Sequence, residues 1–551
     1  MTGNYQPLLF ADLPKTGDSF TVWARVRGAA TQLKGIAAGG AQKELKWSYG
    51  KPSSFEWVCY GRYDRTVLGS RVLVIQGAGG DTASGIDALV LASDPAFDPN
   101  AALSTVITSP VMVTVDWAKS AGTPATRFSY ALNLYRGTDE KNARSAEYRA
   151  NLEYMDPGIV RIHNAGKMRD SKKTREGIID EAKHDWDRAK IKQILPLQLN
   201  QRPAVLMNIP GWPDWMDADK DGFLDRDQFD NYAKMMADLV RIVNVENRCR
   251  VRYWEITNEL DGRYFTNFYA GGGSGSLKDA ARPDRWDEVI EIYNKCAAAM
   301  KKVDPTIQTG GPAAARPDLH SMHERFIRGT LTNLDFFSMH AYASGNAGDS
   351  DSSVYDKAPL MGRFSHEVVE MLKRLSPDRA IPMMLGEYNI SWTWQTRDPR
   401  MTNHKSGVFD ALVMVSTAEA GAFSAQAWNE KDGIYGKTDD ADKRRPGADV
   451  LHLFNTYLVG NRAVTTTSDE KAVVGYAVVD VTKRRRSLLL INRTSTLQTV
   501  SATLSGGTPP PETITRNQIA ADGMTAKTEA MPKSGVGEWK LPPDSITLLV
   551  F

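Results

Sequence analysis

Cysteine is nearly absent. Cys59, Cys249 and Cys296 are the only three in 551 residues, and no metal-binding or redox spacing relates them. A disulfide framework is therefore not what holds the chain together. Long apolar runs are missing too, since no stretch approaches the ~20 apolar residues that a membrane-spanning helix needs. Nor is there an excess of charge of one sign. The 68 Lys and Arg residues nearly balance 66 Asp and Glu, for a formal net charge of +2. That is too even to argue for nucleic acid or an anionic membrane surface as a partner. The basic run at 483–486 lies between two apolar segments and reads as a solvated hairpin turn. Residues 1–5 lack the basic and apolar parts of a signal peptide. The expectation is a secreted or periplasmic protein in mature form, with cytoplasmic residence the alternative.

What is present points to several domains. A chain of this length exceeds one ordinary hydrophobic core. Residues 1–110 read as all-β. Residues 19–27 alternate apolar with polar, and short apolar runs at 55–60, 70–75 and 86–91 follow, separated by Gly, Pro and Ser. That pattern predicts a β-sandwich. From about residue 125 strand-like runs alternate with helical ones. The runs lie at 128–133, 158–163, 204–208, 251–259, 307–311, 334–340, 381–387 and 423–428. Between them, Phe229, Tyr232, Met236, Leu239 and Val243 recur at helical steps, as do Val289, Ile292, Tyr293 and Cys296. Eight such units predict an α/β fold, a (β/α)8 TIM barrel over 111–455, with its active site at the C-terminal ends of the strands. From 456 to 551 the texture returns to β, predicting a C-terminal β-sandwich.

Two strand ends carry chemistry. The segment 254–262, WEITNELDG, starts apolar and delivers Asn258 and Glu259 to its C-terminal end. The segment 381–386 is apolar and is followed by Glu387, Tyr388 and Asn389. Two carboxylates at the mouths of two barrel strands suit hydrolysis of a glycosidic bond, which needs one acid and one nucleophile or base. Either glutamate alone would more often be a strand cap or an arginine partner. As a pair, in this context, they read as catalytic.

These segments resemble clan A of the retaining glycoside hydrolases. GEYNISW is similar to the nucleophile segment of family 39, HAYAS to its sixth-strand His-x-Tyr, and GIVRIHNAG to its second strand. The pattern 85–94, GIDALVLASD, loosely resembles the jelly-roll, carbohydrate-binding modules attached to such enzymes. Agarase- and porphyranase-like clan members share the features. The clan resemblance implies Glu259 as general acid/base, Glu387 as nucleophile, and carboxyl groups about 5–5.5 Å apart. It also implies that Asn258 binds the sugar 2-hydroxyl, that Arg161 and Tyr342 orient Glu387, that His163 and His340 line the pocket, and that Trp428 forms its floor. Trp212 and Trp392 are expected beside the cleft. The expected partner is a carbohydrate, with no nucleic acid and no membrane. A non-catalytic carbohydrate-binding barrel is the alternative, disfavoured because binding needs neither acid.

The most specific local motif is the loop 217–228, DADKDGFLDRDQ. Asp217, Asp219, Asp221 and Asp225 fall at positions 1, 3, 5 and 9 of an EF-hand loop, with Gly at 6 and the Phe223 carbonyl at 7. Position 12 is Gln228, so the usual bidentate carboxylate is absent. A single structural Ca2+ is expected, stiffening a loop of the catalytic face. The glycine-rich stretch 271–276 and residues 344–356 predict further long loops on that face.

Overall fold

Eight parallel strands close into a barrel in the computed structural model. It describes residues 7–13, 17–27, 31–36, 42–45, 56–69, 71–76, 85–99, 110–137, 139–163, 178–180, 182–199, 204–265, 284–395, 397–509, 511–531 and 534–551. The strands are Tyr130–Leu134 (β1), Val160–Ile162 (β2), Val205–Ile209 (β3), Tyr253–Ile256 (β4), Gln308–Ala314 (β5), Phe336–Ser344 (β6), Met383–Ser391 (β7) and Ser424–Ala427 (β8). Their order around the barrel is their order in the chain, and β8 pairs back onto β1. Each run expected to be a strand is one. A helix follows each strand, such as Phe229–Val240 after β3 and Trp286–Val303 after β4. Phe229, Tyr232, Met236 and Leu239 are buried along the first, and Val289, Ile292, Tyr293 and Cys296 along the second. Burying such side chains stabilises the fold by ~1.5–3 kcal/mol each.

The barrel interior is layered, and the period of two along a strand sets the layers. Ala131, Ile159, Leu206, Tyr253, Phe336 and Met384 form an apolar plug. Two residues further along each strand stand Asn133, Arg161, Asn208, Glu255, Ser338 and Gly386. All but the glycine are polar, and those five are wholly buried. The next step towards the C-terminal ends reaches His163 and His340. The active face thus rests on a buried polar layer, which rests on an apolar one.

The expected barrel boundary at 111 needs correction. Val111–Ser120 belongs instead to a nine-stranded sheet built mainly from residues after the barrel. It pairs antiparallel with Asn461–Thr467 and parallel with Gln498–Ser505. Val111, Val113, Val115 and Trp117 alternate inward, so the strand fills the sheet's own core. In Arg485–Asn492 the two faces divide: Leu488 and Leu490 join that core, while Leu489 and Ile491 join the barrel's. Of the basic run, Lys483 and Arg484 lie in the turn that joins this strand to Val473–Asp480, as expected, while Arg485 and Arg486 open the strand itself.

Residues 1–108 form a separate unit, whose described residues make two antiparallel sheets, one of four strands and one of three. Phe20, Val22, Ala24, Tyr60, Leu68 and Val72 make its core. Among the described residues no helix is long and apolar enough to cross a membrane. All three cysteines are free thiols. The stretch 271–276 lies outside the described residues.

Candidate active site

Glu387 faces the barrel mouth because its strand is irregular just before it. Leu385 pairs with Met339 and Glu387 with His340, so Gly386 is an extra residue with no partner on β6. Such a bulge re-aims the side chain that follows it. A Cβ on Gly386 would stand 3.3 Å from the His340 ring and 3.6 Å from a Glu255 oxygen. The glycine therefore makes room as well as the bend.

Arg161 organises the floor of the site. Its guanidinium is wholly buried and donates to Glu255 at 2.6 Å, Glu387 at 2.7 Å, Asn258 at 2.7 Å and Asn133 at 2.9 Å. Asn208 donates to the same Glu255 oxygen at 2.8 Å. The other oxygen of Glu387 accepts the Tyr342 hydroxyl at 2.7 Å. Burial alone would push the Glu387 carboxyl up, but His340, Arg161, His163 and the Tyr342 hydroxyl together hold it below the usual carboxylate range. Burial and the Glu387 charge keep Tyr342 protonated, hence a donor.

Glu259 lies beyond the end of β4, with its side chain 40% exposed and open to the cleft. Its backbone φ of 52° and that of Thr257, 72°, are left-handed. For residues with a side chain each such position costs roughly 1–3 kcal/mol, and it persists only where the surroundings hold it. Here they do. The Glu259 N–H donates to the Ala313 carbonyl at 2.9 Å, and Asn208 donates to the Thr257 carbonyl at 2.9 Å. Asp261 bonds two N–H groups after β5. His340 Nδ1 sits 2.9 Å from a Glu259 oxygen and 3.7 Å from a Glu387 oxygen. Burial lowers the His340 pKa, but Glu387 and Glu259 more than offset it, so the ring is more basic than usual. One oxygen from each of the two glutamates and the His340 nitrogen lie within 4.8 Å of one another.

These groups line a cleft of about 1360 Å³. Asn258, His163, Tyr342, Trp392 and Trp428 all reach it. Trp392 is 61% exposed. Trp428 packs its edge on His163, ring centroids 5.1 Å apart. Trp212 departs from expectation. It is fully buried, with the rings of Tyr232 and Tyr264 near-perpendicular to its own, and it lines a smaller hollow together with Asn258, Glu259 and Arg263. Sequence reading missed Asn133, Asn208 and Glu255, whose signal was a polar residue two steps beyond an apolar plug residue on each strand, as Asn133 follows Ala131, Asn208 follows Leu206 and Glu255 follows Tyr253. It also missed Glu430, a buried carboxyl after β8 that accepts the N–H groups of Tyr135 and Arg136 at 2.7 and 2.8 Å. Burial raises Glu430 to about 7 despite those bonds and the Tyr148 hydroxyl.

Carboxylate oxygens of Asp217, Asp219 and Asp225 lie within 4.8 Å of one another. Gly222 takes a φ of 90° and donates to Asp217 at 3.1 Å. Asp221 turns instead towards Arg285, at 3.6 Å, and the Gln228 amide oxygen accepts from Asn231 at 3.0 Å. The Phe223 ring packs on Tyr264 and under Arg285. Three hard oxygen donors thus converge, a set that fits Ca2+ better than a softer metal, while Asp221 and Gln228 are drawn to protein partners.

Comparison with known proteins gives partial matches. Residues 276–430 match the model of Glycosyl hydrolases family 39. The second half of the barrel, β5 to β8, thus resembles that family. A stretch of 168 residues is 26% identical to a beta-xylosidase of Caldicellulosiruptor saccharolyticus, covering 30% of this chain and 33% of that one. Another, of 158 residues, is 30% identical to a beta-xylosidase of Geobacillus stearothermophilus, over 26% of this chain and 27% of that one. The match spans about a third or less of either relative's length. Among solved structures, a GH39 beta-xylosidase from Caulobacter crescentus superposes with a TM-score of 0.56 at 15% identity, over 80% of this chain and 99% of that one. The GH51 arabinofuranosidase from Xanthomonas axonopodis pv. citri gives 0.58 at 13% identity, over 80% and 99%. At these identities the likeness is one of fold. The family 39-like match contains β5 to β8, and so Glu387, His340 and Tyr342, while Glu259 and Arg161 precede it.

Proposed function

We propose that the chain is a retaining glycoside hydrolase acting on an oligosaccharide or polysaccharide by double displacement. The observation that carries this reading is the closeness of Glu259 and Glu387, whose nearest oxygens lie within 4.8 Å. That closeness is nearer the ~5–5.5 Å carboxyl separation of retaining enzymes than the ~6.5–9.5 Å by which inverting enzymes make room for a water. In the first step a Glu387 oxygen attacks the anomeric carbon as the glycosidic C–O bond breaks. Glu259 gives its proton to the leaving oxygen, and a glycosyl ester of Glu387 remains. In the second, Glu259 takes a proton from water, whose oxygen displaces Glu387 and restores the original anomer. Arg161 holds the Asn258 oxygen, which leaves the amide N–H groups to donate to the sugar 2-hydroxyl. Trp428 supports that sugar. The cleft volume and the exposed Trp392 and Trp394 support binding of further sugar units, and we infer action within a chain. The names of the curated relatives make β-xylosides the first substrates to try. The test is hydrolysis of aryl β-xylosides, xylo-oligosaccharides and a panel of polysaccharides, with the product anomer followed by NMR. A first-formed product of the substrate's own configuration is expected, and an inverted one would refute the mechanism.

We also propose Ca2+ for the 217–228 loop, held by Asp217, Asp219, Asp225 and the Phe223 carbonyl. When bound, it would neutralise three carboxylates. The loop is tied to the segment that carries Glu259: Tyr264 accepts the Leu224 N–H at 2.9 Å, and Arg263 donates to the Gly222 carbonyl. Millimolar Ca2+ is expected to raise the thermal unfolding midpoint by several degrees over EDTA-treated protein, and Asp219→Asn with Asp225→Asn should abolish the rise. An equal rise in that double variant would place the ion elsewhere.

A further inference from the structure

We propose that Asp261 is a positioning residue for the acid/base arm, holding Glu259 at the place from which it reaches the glycosidic oxygen. This rests on the assignment of Glu259 above. Asp261 is wholly buried two residues after Glu259, at the start of the short helix Asp261–Tyr264. Its two carboxylate oxygens accept different backbone N–H groups, Ala315 at 3.1 Å and Arg316 at 3.0 Å. Both donors follow β5 directly. The Glu259 N–H meets the same stretch at the Ala313 carbonyl, and Ala313 is itself left-handed at φ 53°. The arm after β4 and the end of β5 are thus laced together at two points on either side of Leu260. Between those points the chain stays left-handed at Glu259, a conformation a side-chain-bearing residue does not keep unaided. Ala315 and Arg316 also line the cleft, so the same carboxylate sets the wall beside the departing group.

A carboxylate suits this task better than an amide. It accepts at both oxygens, whereas asparagine turns an NH2 towards one of the two N–H groups and loses that bond. Asp261→Asn should therefore loosen the arm without emptying the site. Burial raises the Asp261 carboxyl to about 6 against the two N–H bonds, so the charge is retained at neutral pH because the N–H groups face it.

Leaving-group dependence separates this role from a general loss of structure. A dinitrophenolate leaves without a proton from Glu259, whereas an alkoxide or an unsubstituted phenolate does not. In Asp261→Asn, kcat/KM is expected to fall about 10- to 100-fold for phenyl glycosides and oligosaccharides, and no more than about 3-fold for the dinitrophenyl glycoside. The slope of log kcat/KM against leaving-group pKa should steepen. A uniform fall across the series, or no fall at all, overturns the proposal. If Asp261→Asn is unfolded at the assay temperature, Asp261→Glu, which keeps the charge but displaces it by one methylene, is measured with the same series and the same criterion. Failure of the catalytic assignment looks different: the wild type would then cleave no member of the series, or Glu259→Gln would match it.

Discussion

Replacing Arg161 with methionine is expected to cost about 3–5 kcal/mol of stability, because it strands buried charge rather than removing a surface ion pair. The guanidinium is wholly buried and serves four partners at 2.6–2.9 Å. Without it Glu255 keeps only Asn208, and Glu387 keeps Tyr342 with the two histidines. Methionine fills similar volume, so packing changes little and the loss reports electrostatics. Activity should fall by at least about 100-fold, since Glu387 would sit in a less favourable field and lose its orientation. The acid side carries a second signature. Glu387 is held below its unfolded pKa, so its pairing stabilises the fold above that value, and the gain fades as pH falls through the folded value. Arg161→Met should flatten that acid-side slope. Adding Glu255→Gln removes one of the stranded charges and should recover part of the stability but little of the activity. Urea unfolding at several pH values, beside kcat/KM, measures both. If the single variant is as stable as the wild type, Arg161 is not the electrostatic keystone of the barrel floor.

Much of this site was legible in the sequence, for a definite reason. Barrel strands are buried on both faces, so an apolar run that ends in Asn258 and Glu259 announces where the burial stops. Glu387 could be read the same way. What was not legible depends on the third dimension. Glu255 lies inside an apolar run and looked like a strand residue among others, yet it shares Arg161 with Glu387. Stepping by two from Glu255 to the apolar Tyr253 below it, and comparing Asn208 and Arg161 on neighbouring strands, would have revealed the polar layer. Trp212 shows the opposite failure. A tryptophan in a loop of the catalytic face can turn towards the cleft or towards the core, and Tyr232 and Tyr264 supply the core contact. The strand at 111–120 was missed as part of the C-terminal sheet because its partners come more than 300 residues later. Its strict alternation marked a strand with one buried face, unlike the continuous apolar runs of the barrel.

The largest expected effect is that of Glu387→Ala, a loss of activity by more than about 10⁴-fold with the fold intact. In the proposed mechanism Glu387 forms the bond to the anomeric carbon, and alanine leaves a space where it stood. Small anions should fill that space. With azide and an activated aryl glycoside, azide attacks the anomeric carbon directly in a single displacement, so the glycosyl azide has the configuration opposite to the substrate. Glu259→Ala should behave differently. Glycosylation of Glu387 still proceeds with the activated substrate, but the ester accumulates because no base deprotonates water. Azide needs no base, so it should raise kcat and give a glycosyl azide of the substrate's own configuration. The two azide products differ at one centre and are told apart by the anomeric proton coupling. The contrast depends on which glutamate lies on which side of the bond. Glu387 is fixed from below by Arg161 and Tyr342, as an attacking group must be. Glu259 reaches in from a laced loop with its side chain partly open to solvent, as a group that must meet both the leaving oxygen and the incoming water does. If the two products came out exchanged, the roles would have to be exchanged with them. If azide revived neither variant, the carboxylates would not act by double displacement, however close together they stand.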